Sequence, residues 1–145
     1  MVSKTRLQKL LLTALLLSPI TVWAHGDVTP QAVETPGLKD LGDEWRDTNP
    51  YAKPYENYDK AVEIGSSAYN ENCARCHGLE GISGGIAPDL RALQPGPDGD
   101  QWFVYRVRNG AVRDGRVYMP KMADYLSQEA LWAIRTYINQ LPEPE

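Results

Sequence analysis

The chain has 145 residues, of which 42% are hydrophobic and 23% are charged, and this composition is typical of one small globular domain rather than a disordered tail. Its formal net charge is -4, and it becomes -7 without residues 1–24, which hold three of the fifteen basic residues and none of the nineteen acidic ones. An acidic chain of this size offers no basic stripe, so binding to nucleic acid or to anionic lipid is not supported.

Residues 1–24 have the parts of a secretory signal peptide. A basic start precedes an apolar run over 10–17, and a segment with small residues at the cleavage positions ends at Ala24. The stretch 10–24 is shorter than the roughly 20 residues that a membrane-spanning helix needs. We therefore expect cleavage after Ala24, a periplasmic location and no stable membrane insertion afterwards.

Residues 25–58 are predicted to form an irregular arm. Four prolines interrupt this segment, and no helical or strand periodicity of apolar residues persists in it. Trp45 and Tyr51 are candidates to anchor the arm on a core. After cleavage His25 would combine an α-amine with an imidazole, but two nitrogens are an incomplete copper site, so we interpret this pair as incidental.

From Asp59 the pattern becomes helical. Apolar or small residues recur with helical spacing from Ala61 to Tyr69, and Asp59 is a plausible N-cap for this helix. A glycine-rich loop follows, after which Pro88 is placed to open a short helix that continues to Leu93.

Two more helices are predicted in the second half of the chain. Asp100 is placed to cap a helix over 101–109 that ends at Gly110, and Ser127 to cap a last helix that Pro142 ends. The apolar stripe of the last helix consists of Leu131, Ile134, Ile138 and Leu141. No strand pattern competes, so we predict an all-α domain over 59–141 followed by a tail over 142–145. Loops as long as these need something to pack against.

The two cysteines of the chain stand in the segment Cys73-Ala74-Arg75-Cys76-His77. This spacing puts both thiols one helical turn apart, where they can form thioethers with the two vinyl groups of a haem, and His77 then comes under the iron. A redox disulfide would need a thioredoxin-like βαβ setting, and no strands are visible. The sequence therefore predicts one covalently bound haem c.

The stretch from Cys73 to Leu90 resembles the small soluble class I cytochromes c. The resemblance is carried by the letters CARCHG and, further along, GGIAPDL, and it covers residues 59–141. It implies a fold of about three to five helices around one haem. In that family the carbonyl of the matching proline accepts the Nδ1 proton of the haem-binding histidine, which implies this role for Pro88 beside His77.

A sixth iron ligand has to come from the two methionines after residue 24 or from His25. Met119-Pro120 resembles the Met-Pro element of the family, which a Leu-Ser pair follows seven residues after the ligand, here at 126–127. The resemblance implies that Met119 is the second axial ligand and that Met122 packs in the core.

The two propionates of a haem need hydrogen-bond donors. The candidates are Arg91, Trp102, Tyr105 and Arg106. Each of them is more often a surface or core residue than a ligand. Gly65, Tyr69 and Tyr137 match packing positions of the family, where a glycine lets the first and last helices cross closely.

Ligation by His77 and Met119 leaves no open iron position, so we expect an electron carrier rather than an enzyme. The arm segments 25–31, 41–45 and 49–51 resemble those of cytochromes c that serve quinoprotein ethanol dehydrogenases. This resemblance implies a periplasmic alcohol dehydrogenase with pyrroloquinoline quinone as electron donor, and we expect a monomer that passes electrons to an oxidase or another cytochrome. A carrier for another dehydrogenase, a docking module, and a haem enzyme or gas sensor with a labile distal position remain open alternatives.

Overall fold

The computed structural model describes residues 29–144. The predicted signal peptide, its cleavage after Ala24, and His25 lie outside this range. The main elements are α1 (Tyr58–Asn72), α2 (Ala74–His77), α3 (Pro97–Asn109), β1 (Ala111–Arg113), β2 (Arg116–Met119) and α4 (Gln128–Ile138). Three single-turn 3₁₀ helices cover Leu79–Gly81, Leu90–Ala92 and Met122–Asp124. Over the range described, no helix has both the length and the apolar character needed to cross a bilayer.

Helix α1 buries the predicted face, from Ala61 to Tyr69, against the rest of the core. The predicted N-cap is wrong, because the helix begins at Tyr58 and the residue in the cap position is Asn57, whose side chain makes no capping hydrogen bond. Asp59 lies in the first turn instead, where its charge still interacts favourably with the helix dipole.

Helices α1 and α4 cross at Gly65. A Cβ atom at this position would lie 1.9 Å from the carbonyl oxygen of Ala133, so only glycine permits the two backbones to approach this closely. The rings of Tyr69 and Tyr137 fill the angle beside the crossing, with their centroids 5.4 Å apart. The predicted glycine crossing is therefore confirmed.

Gly65→Ala is expected to lower the free energy of unfolding by about 1–3 kcal/mol, because backbone rather than a flexible side chain must move to admit the methyl group. Urea titration of the two proteins measures the difference. Gly84→Ala is the matched control, since nothing lies within 4 Å of an added Cβ there, and its effect should stay within about 0.5 kcal/mol. Equal midpoints for the Gly65 variant and the wild type would contradict the crossing argument.

Helix α3 begins four residues before the predicted start. Pro97 opens it, and Asp100 is a buried residue inside the helix rather than its cap. The carboxylate of Asp100 accepts a hydrogen bond from Arg135 Nε at 2.8 Å, and Arg135 on α4 is fully buried. Asp100 therefore joins α3 to α4, which explains why a residue with good capping chemistry does not cap.

Residues 29–57 contain turns and bends but no helix or strand, as predicted for the arm. The arm is nevertheless well packed, because Leu41 and Tyr51 are buried in the core and the half-buried Trp45 packs against it. Asn49 N–H donates to Asp100 Oδ2 at 2.9 Å, and its side-chain amide donates to the hydroxyl of Thr136 at 2.9 Å. The arm is thus bonded to both α3 and α4.

The hairpin of β1 and β2 corrects the expectation that the domain contains no strands. Val112 pairs with Val117 and Arg113 pairs with Arg116, around the two-residue turn formed by Asp114 and Gly115. Both turn residues have positive φ, 50° and 72°, which is the requirement of a type I′ turn. Strands of three and four residues are too short to show a clear alternating pattern. The feature of the sequence that indicates a hairpin here is the Asp-Gly dipeptide.

Helix α4 confirms Ser127 as its N-cap, because the Ser127 hydroxyl accepts a hydrogen bond from the Ala130 amide at 3.2 Å. Leu131, Ile134 and Ile138 are buried as predicted. The helix ends at Ile138, so Leu141 lies beyond it and is only half-buried.

Candidate functional site

The two cysteines lie on a single helical turn, with Cys73 at the junction of α1 and α2 and Cys76 within α2. The amides of Cys76 and His77 both donate to the carbonyl of Cys73, at 3.1 and 3.0 Å, and this turn fixes the spacing of the three side chains. Both thiols are free and half-buried. The segment therefore presents two sulfur nucleophiles and an imidazole from one rigid piece of backbone.

The electrostatics of the pair differ from those of a redox Cys-x-x-Cys motif. Burial, together with the neighbouring Cys76, raises the pKa of the Cys73 thiol to about 12. Redox-active pairs instead have a thiol whose pKa lies well below its ordinary value. The direction of this shift disfavours a disulfide oxidoreductase.

His77 is oriented by one hydrogen bond from its ring. Its Nδ1 lies 2.8 Å from the carbonyl oxygen of Pro88 and donates to it. With the proton held on Nδ1, the lone pair is on Nε2, which is the nitrogen left to bind a metal. The contact is the one that the family resemblance implies.

Pro88 does not open a helix, which corrects that part of the prediction. The single turn Leu90–Ala92 follows instead, and Asp89 caps it by accepting from the Arg91 amide at 3.0 Å. The Asp89 carboxylate also pairs with the Arg91 guanidinium at 2.7 Å, and these contacts hold the pKa of Asp89 below its ordinary value. Arg91, the first candidate for propionate binding, is thus paired with a carboxylate of its own loop.

The two methionines have different environments. Met119 ends β2, where it is half-buried and packs against the edge of the core. Met122 follows in a 3₁₀ turn and is buried, with 6% of its surface exposed. The register of the hairpin shifts beside Met119, because Ala111 pairs with Met119 and Val112 pairs with Val117, which leaves Tyr118 as an extra residue in β2. Bulges of this kind commonly re-aim a side chain.

The other three propionate candidates form one stack on α3. The guanidinium of Arg106 lies 4.7 Å from the ring centroid of Trp102 and 5.7 Å from that of Tyr105, and it donates to the Gly110 carbonyl at 2.8 Å. Trp102 and Tyr105 are each more than half exposed. The structure thus joins these three residues to one another and to the end of α3.

The donor set of the site fits a covalent haem. Two free thiols one turn apart match two vinyl groups, an imidazole with a free Nε2 matches one axial position, and a thioether is available for the other. Exposed apolar side chains at Leu79, Ile82 and Ile86 lie on the loop that follows His77, and they suit the edge of a large apolar ring. Among the described residues, no cluster of three or more His, Cys, Asp or Glu side chains offers an alternative metal site.

Comparison with known proteins extends this picture. Residues 60–138 match the family described as "Cytochrome C oxidase, cbb3-type, subunit III". Cytochrome c550 of Pseudomonas aeruginosa is 69% identical over 132 residues, which span 91% of this chain and 90% of that protein. Chloroplastic cytochrome c6 of Chlamydomonas reinhardtii is 32% identical over 82 residues, about half of each chain. No solved structure matches.

A further relative is much longer than this chain. Quinohemoprotein alcohol dehydrogenase ADH-IIG of Pseudomonas putida is 34% identical over 93 residues, which span 64% of this chain but only 12% of the dehydrogenase. The likeness therefore concerns a small part of that enzyme.

Proposed function

Because this chain belongs to the cytochrome c family, and is thus an electron carrier with covalently bound haem c rather than an enzyme, we propose that a periplasmic quinoprotein alcohol dehydrogenase is its electron donor. The predicted class I cytochrome c fold, the haem and the carrier role are confirmed by this membership. The donor, the location and the roles of individual residues form the proposal.

In the proposed site Cys73 and Cys76 would hold the haem through two thioethers, and His77 Nε2 and the Met119 sulfur would bind its iron. The haem supplies a one-electron iron couple. The observation that carries the assignment of His77 is the 2.8 Å hydrogen bond from its Nδ1 to Pro88, which fixes the tautomer and the ring orientation. A methionine opposite a histidine raises the reduction potential by favouring ferrous iron.

The burial of the methionines supports the choice between them. Met122 is buried in the core, and a side chain that is already used in packing is not available as an iron ligand. Met119 lies at the edge of the core and directly follows Tyr118, the extra residue of a bulge in its own strand. Its position allows the sulfur to be held by the hairpin without opening the core.

The likeness to alcohol dehydrogenases supports the choice of donor. A segment similar to this chain makes up about an eighth of a quinohemoprotein alcohol dehydrogenase, so a domain of this kind occurs within enzymes of that class. The arm adds the resemblance to cytochromes that serve ethanol dehydrogenases. Oxidation of an alcohol releases two electrons, and therefore two carrier molecules are reduced in each turnover. We propose that a downstream oxidase or cytochrome then receives these electrons, and that the carrier is a monomer.

Stopped-flow mixing of the oxidised protein with alcohol-reduced dehydrogenase tests the donor. We expect reduction at least about tenfold faster than that of an unrelated acidic cytochrome c of similar potential, because specific docking raises the rate of productive encounter. The amount of protein reduced should be two molecules per alcohol oxidised. A rate no greater than that of the unrelated cytochrome would exclude this donor and leave the carrier role in place.

A further inference from the structure

Positive charge is concentrated in one segment of this acidic protein, which corrects the expectation that the chain offers no basic stripe. Residues 106–121 contain five basic side chains and one acidic side chain, a net charge of +4. The rest of the described chain, 29–105 and 122–144, contains seven basic and sixteen acidic residues, a net charge of -9. The basic residues of the segment are Arg106, Arg108, Arg113, Arg116 and Lys121, and we call them the basic surface.

The hairpin holds two of these cations directly opposite each other. Arg113 and Arg116 are paired residues on adjacent strands, and like charges in that position destabilise a sheet. Both are exposed, and the guanidinium of Arg113 lies 5.3 Å from the ring centroid of Tyr118. Nothing in the packing of the hairpin requires this repulsion, which points to a role outside the chain.

Helix α3 extends the surface with cations and aromatic rings. Arg106 is stacked with Trp102 and Tyr105, and the guanidinium of Arg108 lies 5.1 Å from the ring centroid of Trp45. Within residues 29–144 none of the five cations of the basic surface forms an ion pair with a carboxylate. Arginine beside exposed aromatic rings is the composition of protein interface hot spots.

We infer that the basic surface docks an acidic patch on the electron donor. The inference rests on the proposed function, because Arg116 and Met119, the proposed iron ligand, are the two ends of one short strand, so a partner on the hairpin would lie within about 10 Å of that ligand along the strand. The complementary charge must be local, since a net charge of -9 over the rest of the described chain repels a broadly anionic object such as a lipid surface. Electron-transfer contacts are small and transient, which suits a few exposed cations.

A small redox-active ion can test the electrostatic field of the basic surface in the absence of any partner protein. The ferrous protein is oxidised with the anion hexacyanoferrate(III) at increasing ionic strength. The overall negative charge alone would repel this anion, so its rate would rise with salt; the basic surface predicts that the rate falls with salt. Arg113→Gln with Arg116→Gln should reduce the low-salt rate by about tenfold and weaken its fall with salt, because the net charge of the segment 106–121 drops from +4 to +2.

The matched control is Lys39→Gln with Lys53→Gln, which removes the same two charges from exposed positions on the arm. These two substitutions should leave the hexacyanoferrate rate within about twofold of wild type, because both lysines lie on the arm, outside the segment 106–121 that carries the basic surface. A rate that rises with salt in the wild type, or equal losses in both double variants, would show that net charge governs and would overturn the inference.

The same proteins are then mixed with the reduced dehydrogenase. Selective slowing of the arginine variant, with increasing salt slowing the wild type, supports docking of the donor. A wild type that is reduced rapidly while the arginine variant keeps its full rate overturns the docking inference alone. If the wild type is not reduced, the dehydrogenase is not the electron donor, and the proposal that it docks on the basic surface is overturned as well. Binding to anionic lipid vesicles that the arginine variant loses would reassign the surface to a membrane.

Discussion

Met119→Ala should abolish the sulfur-to-iron charge-transfer band of the ferric protein and let cyanide or imidazole bind the iron. The reason is positional: Met119 ends β2 at the edge of the core, whereas the buried Met122 is committed to packing. Removal of the thioether leaves an open coordination position, because no second histidine lies in the described part of the chain. Optical titration of the purified ferric variant measures both effects.

Met122→Leu is the control for this prediction. Leucine conserves most of the buried volume, so its cost in stability should stay below about 1.5 kcal/mol. The charge-transfer band and the resistance to external ligands should be those of the wild type. The opposite result, with the band lost on changing Met122 and kept on changing Met119, would assign the ligand to Met122.

Replacement of Cys73 and Cys76 together by alanine should abolish stable holoprotein. The two thiols lie on one turn and have no other partner in the described structure, so their loss removes both covalent links while leaving the helical turn intact. The measurement is haem retained by denatured protein in acidified organic solvent, which extracts only non-covalent haem.

The wild type is the reference for this experiment and should keep its haem in full through the extraction. Haem extracted from the wild type would contradict thioether attachment. The single variants should each retain one link, so an intermediate yield of holoprotein is expected from them, and a double variant that equals the wild type would contradict the roles of both cysteines.

The sequence was most informative where chemistry and local spacing coincide. The haem motif is read from five consecutive residues, and the first and last helices follow from apolar periodicity that burial in the structure reproduces. The hydrogen bond between His77 and Pro88 joins residues eleven positions apart and became predictable only through a family resemblance. Local pattern alone does not give such a contact.

The errors of the sequence analysis have a common origin in tertiary contacts. Asp100 has the chemistry of a cap, but a partner 35 residues away determines its position inside α3. Arg135 stands next to a predicted core residue and is itself fully buried, because Asp100 and the Gln94 carbonyl accept its hydrogen bonds. Helix propensity and the periodicity of apolar residues carry no information about such distant partners.

The bonds of the arm also bear on the order in which the protein is built. Asn49 is bonded to Thr136, 87 residues later in the chain, and Leu41 N–H donates to Glu129, 88 residues later. The arm is therefore translated before the helices but can be fastened only after α4 has been made. Contacts of such long sequence separation form late and slowly, because their chain closure is entropically costly. The segment that leaves the ribosome early is thus among the last to settle.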